Sequence, residues 1–110
     1  MKESRQHKLT DLYRDFAAEF LELESSRETI ITVMRVILEH EGKSATCLIS
    51  VYPPEREETT LAFAKRRQGD FRNFVASKTR TKFVPTFTFD IDKGEKNRRR
   101  IEELLSSGHK

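Results

Sequence analysis

Residues 82–105 read KFVPTFTFDIDKGEKNRRRIEELL, and this stretch decides the fold. Phe83, Pro85, Phe87, Phe89 and Ile91 alternate with Val84, Thr86, Thr88, Asp90 and Asp92. Successive side chains of a strand point to opposite faces, so this period of two predicts a half-buried strand. Pro85 has no N–H to give to a ladder, which suits a strand entry or an edge. Asp92-Lys93-Gly94 breaks the strand. Ile101, Leu104 and Leu105 then recur at helical spacing beneath a run of arginines, so a helix follows.

Upstream of this unit lies a second helical pattern. Leu61, Ala64, Phe71, Phe74 and Val75 form one apolar stripe, and Thr59 or Thr60 could cap its start. Gly69 sits in the middle, where glycine costs roughly 1 kcal/mol against alanine. The glycine therefore predicts a kink or break at that point. Before this helix, Pro53-Pro54 and the acidic ERE of residues 55–57 close a strand over residues 44–52, with Ala45, Cys47, Ile49 and Val51 on one face. Residues 29–38, TIITVMRVIL, predict another strand whose parity shifts: Ile31 and Val33 share one phase, Val36 and Leu38 the other. A one-residue bulge near Met34-Arg35 puts all four on one face. Glu39 to Lys43, with Gly42, makes the hairpin turn between these strands. At the start of the chain, Leu9, Leu12, Tyr13, Phe16 and Phe20 predict an amphipathic helix from about Lys8 to Glu24, ended by Ser25-Ser26.

The order is helix, strand, strand, kinked helix pair, strand, helix. This is an α+β domain, α-β-β-α(kink)α-β-α, with a three-stranded sheet packed on helices. A length of 110 residues suits one domain with one modest core. The ordered core is expected over about residues 5–105, with short polar tails. Charged and apolar residues each make up 35% of the chain, and eight phenylalanines argue against disorder. Cys47 is the only cysteine, so no internal disulfide forms, which fits a reducing cytoplasm. No apolar run approaches the roughly 18 residues of a membrane span. The N-terminus carries no apolar signal core, and Glu3 and Asp11 speak against a transit peptide.

The net charge of +3 hides an asymmetry. Residues 1–60 hold 8 basic and 12 acidic residues, whereas residues 61–110 hold 13 basic and 6 acidic. A chain divided this way has a basic face for which nucleic acid is the commonest partner. The alternative is a solvated, cation-rich surface with no partner.

The residues for catalysis are missing. His7, His40 and His109 lie in an arm, a turn and a tail, and none has a second His or Cys at metal-ligand spacing. Asp90 and Asp92 at a strand exit are expected to organise a turn rather than hold a cation. Cys47 falls on the inner face of its strand, where a cysteine acts as a small hydrophobe. The four glycines are scattered, so no loop cradles a phosphate. No catalytic site, metal or cofactor is expected.

From Lys65 to Lys82 the chain carries Lys65, Arg66, Arg67, Arg72, Lys78, Arg80 and Lys82 against one acid, Asp70. With the apolar stripe facing the core, these cations face solvent. A break at Gly69 would expose the N-terminus of a second helix, whose free N–H groups attract phosphate. These seven cations and Gly69 are the candidate RNA site, with Arg98 and Arg99 flanking it. A helix-glycine-helix carried on a sheet is the working part of KH modules, which clamp single-stranded RNA. Their usual GXXG is absent, and the segment reads Arg67-Gln68-Gly69.

Over roughly Arg5 to Leu105 the sequence resembles the ribosome-binding factor A family, most specifically from Arg66 onward. Gly69 matches the glycine of that family's Ala-x-Gly interruption, and Phe71-Arg72 resembles its hydrophobic-Arg pair. Val84-Pro85 is similar to its Val-Pro at the last strand, Asp92 to its turn aspartate, and Arg100-Ile101-Glu102-Glu103-Leu104-Leu105 to its closing helix. Ala45 lies where the family places a small strand residue. Arg67 departs from the family's alanine, and Gly94 replaces the serine usual two residues after the turn aspartate. The resemblance implies a KH-like fold of the bacterial type (type II). It also implies a non-enzymatic, monomeric factor. Such a factor binds the immature small ribosomal subunit and its 16S ribosomal RNA and assists late assembly and 5′-end processing. The rival readings are a KH-type module for another RNA and an adaptor whose basic helix meets an acidic protein.

Overall fold

The structure is a computed structural model that describes residues 2–22, 28–81 and 83–107. Helix α1 (Lys2–Glu22) leads into strand β1 (Ile30–Glu39), which a turn at His40–Gly42 joins to β2 (Ser44–Tyr52). Helices α2 (Glu57–Arg66) and α3 (Gln68–Lys78) follow, then β3 (Thr86–Ile91) and α4 (Lys93–Ser107). The sheet order is β1-β2-β3. β1 and β2 are antiparallel, and β2 and β3 are parallel. Parallel neighbours need a long crossover, and α2 and α3 supply it.

Strand parity builds the core as expected. Ala45, Cys47, Ile49 and Val51 of β2 are buried, as are Phe87, Phe89 and Ile91 of β3. In β1 the register shifts between Val33 and Arg35, and Val33 and Val36 are both buried as a result. The bulge lies where the change of phase requires it. Against this face pack Tyr13, Ala17 and Leu21 of α1, Ala64 of α2, and Phe71 and Val75 of α3. Phe71 is the centre of an aromatic cluster, with ring centroids 4.7 Å from Phe87, 5.3 Å from Phe89 and 5.3 Å from Phe20. Tilted and edge-on contacts of this kind are the favoured arrangements of aromatic pairs.

The elements of the fold differ from the sequence reading at four places. α1 begins at Lys2 rather than Lys8, and Leu12 is exposed, because the buried ladder runs Tyr13, Ala17, Leu21. The expected stop at Ser25-Ser26 lies outside the described residues. β3 begins only at Thr86, and the alternation fails just before it: Phe83 is exposed, while Val84 and Pro85 are both buried. α2 starts at Glu57 rather than Thr59 or Thr60, with no side-chain cap. Pro54 opens a short 3-10 turn just before it, and Glu57 and Glu58 place negative charge on its first turn. The fourth difference, the position of the helix break, bears on the site and is described below.

Asp90 and Asp92 do organise the strand exit. Asp90 Oδ1 accepts the N–H of Ile91 at 2.8 Å. Asp92 Oδ1 accepts the N–H of Glu95 at 3.1 Å and so caps α4. This cap offsets the absence of the serine at position 94, where a Cβ would come within 3.2 Å of Asp92 Oδ1. α4 leans off the body with Ile101, Leu104 and Leu105 exposed. Its first turn is tied down by Lys96, whose Nζ lies 3.0 Å from Glu57 Oε1.

Candidate nucleic-acid interface

The helix pair breaks at Arg67, not at Gly69. Arg67 has φ −100° and ψ 7°, in the bridge region between the α and β wells. Its N–H bonds the carbonyl of Ala64 at 3.0 Å and closes α2, and its carbonyl accepts from Phe71 N at 2.9 Å and opens α3. The residue after the break explains its position. Gln68 Oε1 accepts the N–H of Phe89 at 3.0 Å, so Gln68 covers the edge of β3 that β2 leaves unpaired. Gly69 then falls inside the first turn of α3, with no left-handed φ and open space where a Cβ would stand. The second helix does start beside the basic cluster, as the sequence suggested, but two residues earlier. Gln68 is the polar member of the stripe Leu61, Ala64, Gln68, Phe71, Val75, and that was the signal in the sequence for a polar contact at this point.

Lys65 and Arg66 stand exposed at the end of α2. Arg66 and Arg67 lie over the ring of Phe63, at 6.0 and 5.5 Å from its centroid. Arg67 Nε is 3.2 Å from Asp70 Oδ2. Asp70 sits in the first turn of α3, where orphan N–H groups and the helix dipole favour an anion. The pair, half-buried at Arg67 and exposed at Asp70, is therefore a weak internal substitute for a phosphate.

The remaining cations do not join this cluster. Lys78 and Arg80 belong to the opposite end of α3, an 11-residue helix about 16 Å long at 1.5 Å per residue. Lys78 is 3.8 Å from Glu19 Oε1 and 5.3 Å from the Phe74 ring centroid. Arg80 is exposed. Arg72, expected to face solvent, turns its guanidinium back onto the chain. Its Nη2 donates to the carbonyl of Val84 at 3.1 Å, and its Nε lies 3.2 Å from the carbonyl of Pro85. Lys82 and the side chain of Arg99 lie outside the described residues. Arg98 is held by Glu95 at 2.6 Å and by Glu102 at 3.2 Å. The expected single basic face is thus two cationic ends of α3 with a structural arginine between them.

Cys47 is fully buried, and burial pushes its thiol pKa up to about 12. Among the described residues no three His, Cys, Asp or Glu side chains gather as a metal site, and no helix is long and apolar enough to cross a membrane.

The family model for ribosome-binding factor A matches residues 5–105. A ribosome-binding factor A of Thermobifida fusca is 33% identical over 106 residues, which cover 94% of this chain and 70% of that protein. The crystal structure of ribosome-binding factor A from Thermus thermophilus superposes with a TM-score of 0.67 at 22% identity, covering 77% of this chain and 93% of that one. A homology model of Thermus thermophilus ribosome-binding factor A, fitted into a cryo-electron-microscopy map of a complex with the 30S subunit, superposes with a TM-score of 0.65 at 18% identity, covering 76% of this chain and 91% of that one. The element order, the helix pair broken beside a basic cluster and the match along nearly the whole chain agree: this protein belongs to the ribosome-binding factor A family.

Proposed function

We propose that this protein binds the immature small ribosomal subunit and its 16S ribosomal RNA and assists late assembly and processing of the RNA 5′ end. It acts by binding, without catalysing a reaction itself. The observation that carries this reading is the family match over residues 5–105. The 30S complex of the Thermus relative names the kind of particle. The RNA contact is assigned to the break between α2 and α3, through Lys65, Arg66 and Arg67, with Gly69 in the adjoining turn. Lys78 and Arg80 form a second contact at the far end of α3.

These cations neutralise phosphates rather than read bases. Phe71 is buried and Phe74 half-buried, so neither ring is open to a base. Affinity falls with salt at a log–log slope of about −0.7 per phosphate contacted on a single strand. Sedimentation of cell extract tests the function. The protein is expected to travel with small subunits and to be absent from intact ribosomes. Migration with free RNA or with an unrelated protein complex would overturn the reading.

A further inference from the structure

We infer that the cleft between β2 and α4 holds one unstacked nucleotide of RNA, its base on the ring of Tyr52 and its phosphate on Arg100 and Lys96. The inference rests on the RNA-binding reading above but uses residues that the break between α2 and α3 does not. The cleft has a volume of about 420 Å³ and is lined by Tyr52, Pro54, Glu57, Lys96, Arg100 and Glu103. That volume lies within the roughly 300–1,000 Å³ of small-ligand sites. Tyr52 ends β2 with its side chain on the sheet face away from the core, and it is 60% exposed. A tyrosine left open at the mouth of a cleft is a stacking platform for any base, since every base has a π-face.

The opposite wall comes from α4. Lys96 and Arg100 are four residues apart and share one helix face. Lys96 is engaged by Glu57 at 3.0 Å, while Arg100 has no acid within ion-pairing range among the described residues. Arg100 is therefore the principal phosphate ligand. Glu57 and Glu103 are the acceptors of the cleft, and exocyclic amino groups of a base are the matching donors. A nucleotide has a complement for each class of lining group: a flat ring, an anion and amino donors.

The cleft and the break between α2 and α3 lie at the two ends of α2, a 10-residue helix about 15 Å long. One strand can therefore touch both, with the break supplying charge and the cleft supplying the base platform that the break lacks.

The chain has no tryptophan and two tyrosines, of which Tyr13 is buried. A ligand that stacks on an open ring can reach only Tyr52, and the Tyr52→Phe variant gives the Tyr13 emission to subtract. The experiment titrates the full chain with mixed-sequence single-stranded hexaribonucleotides and with isolated small subunits. Stacking is expected to quench the tyrosine emission as the hexaribonucleotide binds. Tyr52→Ala weakens RNA binding by about 5- to 150-fold, the loss of one base stack. Tyr52→Phe restores the affinity relative to Tyr52→Ala, because the ring is kept. Arg100→Glu weakens binding and lowers the salt slope by about one phosphate. Circular dichroism melts confirm that each variant folds. RNA binding without quenching and without an effect of Tyr52→Ala overturns the inference and leaves the RNA-binding reading standing. Loss of small-subunit binding in Tyr52→Ala with hexaribonucleotide affinity unchanged also overturns it, in favour of a protein occupant. If neither hexaribonucleotides nor small subunits bind the wild type, both readings fall.

Discussion

Arg72 is hydrogen-bonded to the backbone carbonyl of Val84, from Nη2 at 3.1 Å and from Nε at 3.3 Å. The contact ties the second helix of the broken pair to the segment that enters β3. It explains why Val84 is buried and Phe83 exposed, against the alternation of the following strand. Hydrogen bonds made by a charged donor contribute about 1.5–3 kcal/mol. Arg72→Ala is therefore expected to lower the unfolding free energy by an amount in that range, read as a lower urea midpoint at an unchanged slope. A loss under about 0.5 kcal/mol on the same scale would mean that the strap contributes nothing. Arg72 belongs in no charge-reversal test of RNA binding, because its loss disturbs the fold.

Gly69→Ala is expected to stabilise the domain by about 0.5–1 kcal/mol. Gly69 lies in the first turn of α3 with an ordinary backbone and space for a methyl group. The substitution removes unfolded-state entropy and improves helix propensity. A higher melting temperature checks it. A fall would show that the glycine is needed for its conformation.

Phe87→Ala is expected to cost about 3–5 kcal/mol. Phe87 is 1% exposed and meets Phe71 at 4.7 Å and Tyr13 at 5.1 Å. Denaturant unfolding measures the loss. A cost below about 1 kcal/mol would imply an inverted strand parity, since a buried phenylalanine cannot be truncated so cheaply.

Alkaline pH should destabilise the protein through Cys47. Its folded pKa, about 12, is raised by burial above the ordinary thiol value of 9.0. The unfolded thiol loses its proton first, so stability is fully present below about pH 9 and is lost as pH rises toward 12. The slope approaches about 1.4 kcal/mol per pH unit for that one group. Tyr13, also raised by burial, adds to the loss above pH 10. Cys47→Ala should flatten the onset between pH 9 and 10, measured by urea unfolding across that range. An identical onset in the variant would assign the alkaline loss elsewhere.

Local pattern carried most of the fold. The uninterrupted alternation of residues 44–52, the change of phase between Val33 and Val36, and the Phe87-Phe89-Ile91 series each follow from side-chain period alone. The break between α2 and α3 lies away from Gly69 because glycine is a weak local signal, whereas a tertiary contact, Gln68 on the edge of β3, decides the position. The same holds for Arg72, which reads as one more cation among seven until the carbonyls of Val84 and Pro85 are in place. Charge density along the chain identified a basic segment. It could not tell which cations gather, because α3 carries its two ends about 16 Å apart. Tyr52 carries no signal in the sequence, since a cleft against α4 exists only once Asp92 has set that helix's start.

The most direct test of the account is sedimentation of the double variant Lys65→Glu/Arg66→Glu beside the wild type. Both side chains are exposed and neither has an acid in ion-pairing range among the described residues, so the variant should fold and melt as the wild type does. The account predicts that it leaves the small-subunit fractions and that its residual RNA binding is less steep in salt. A folded double variant that sediments with small subunits at wild-type occupancy would contradict the assignment of RNA contact to the break between α2 and α3.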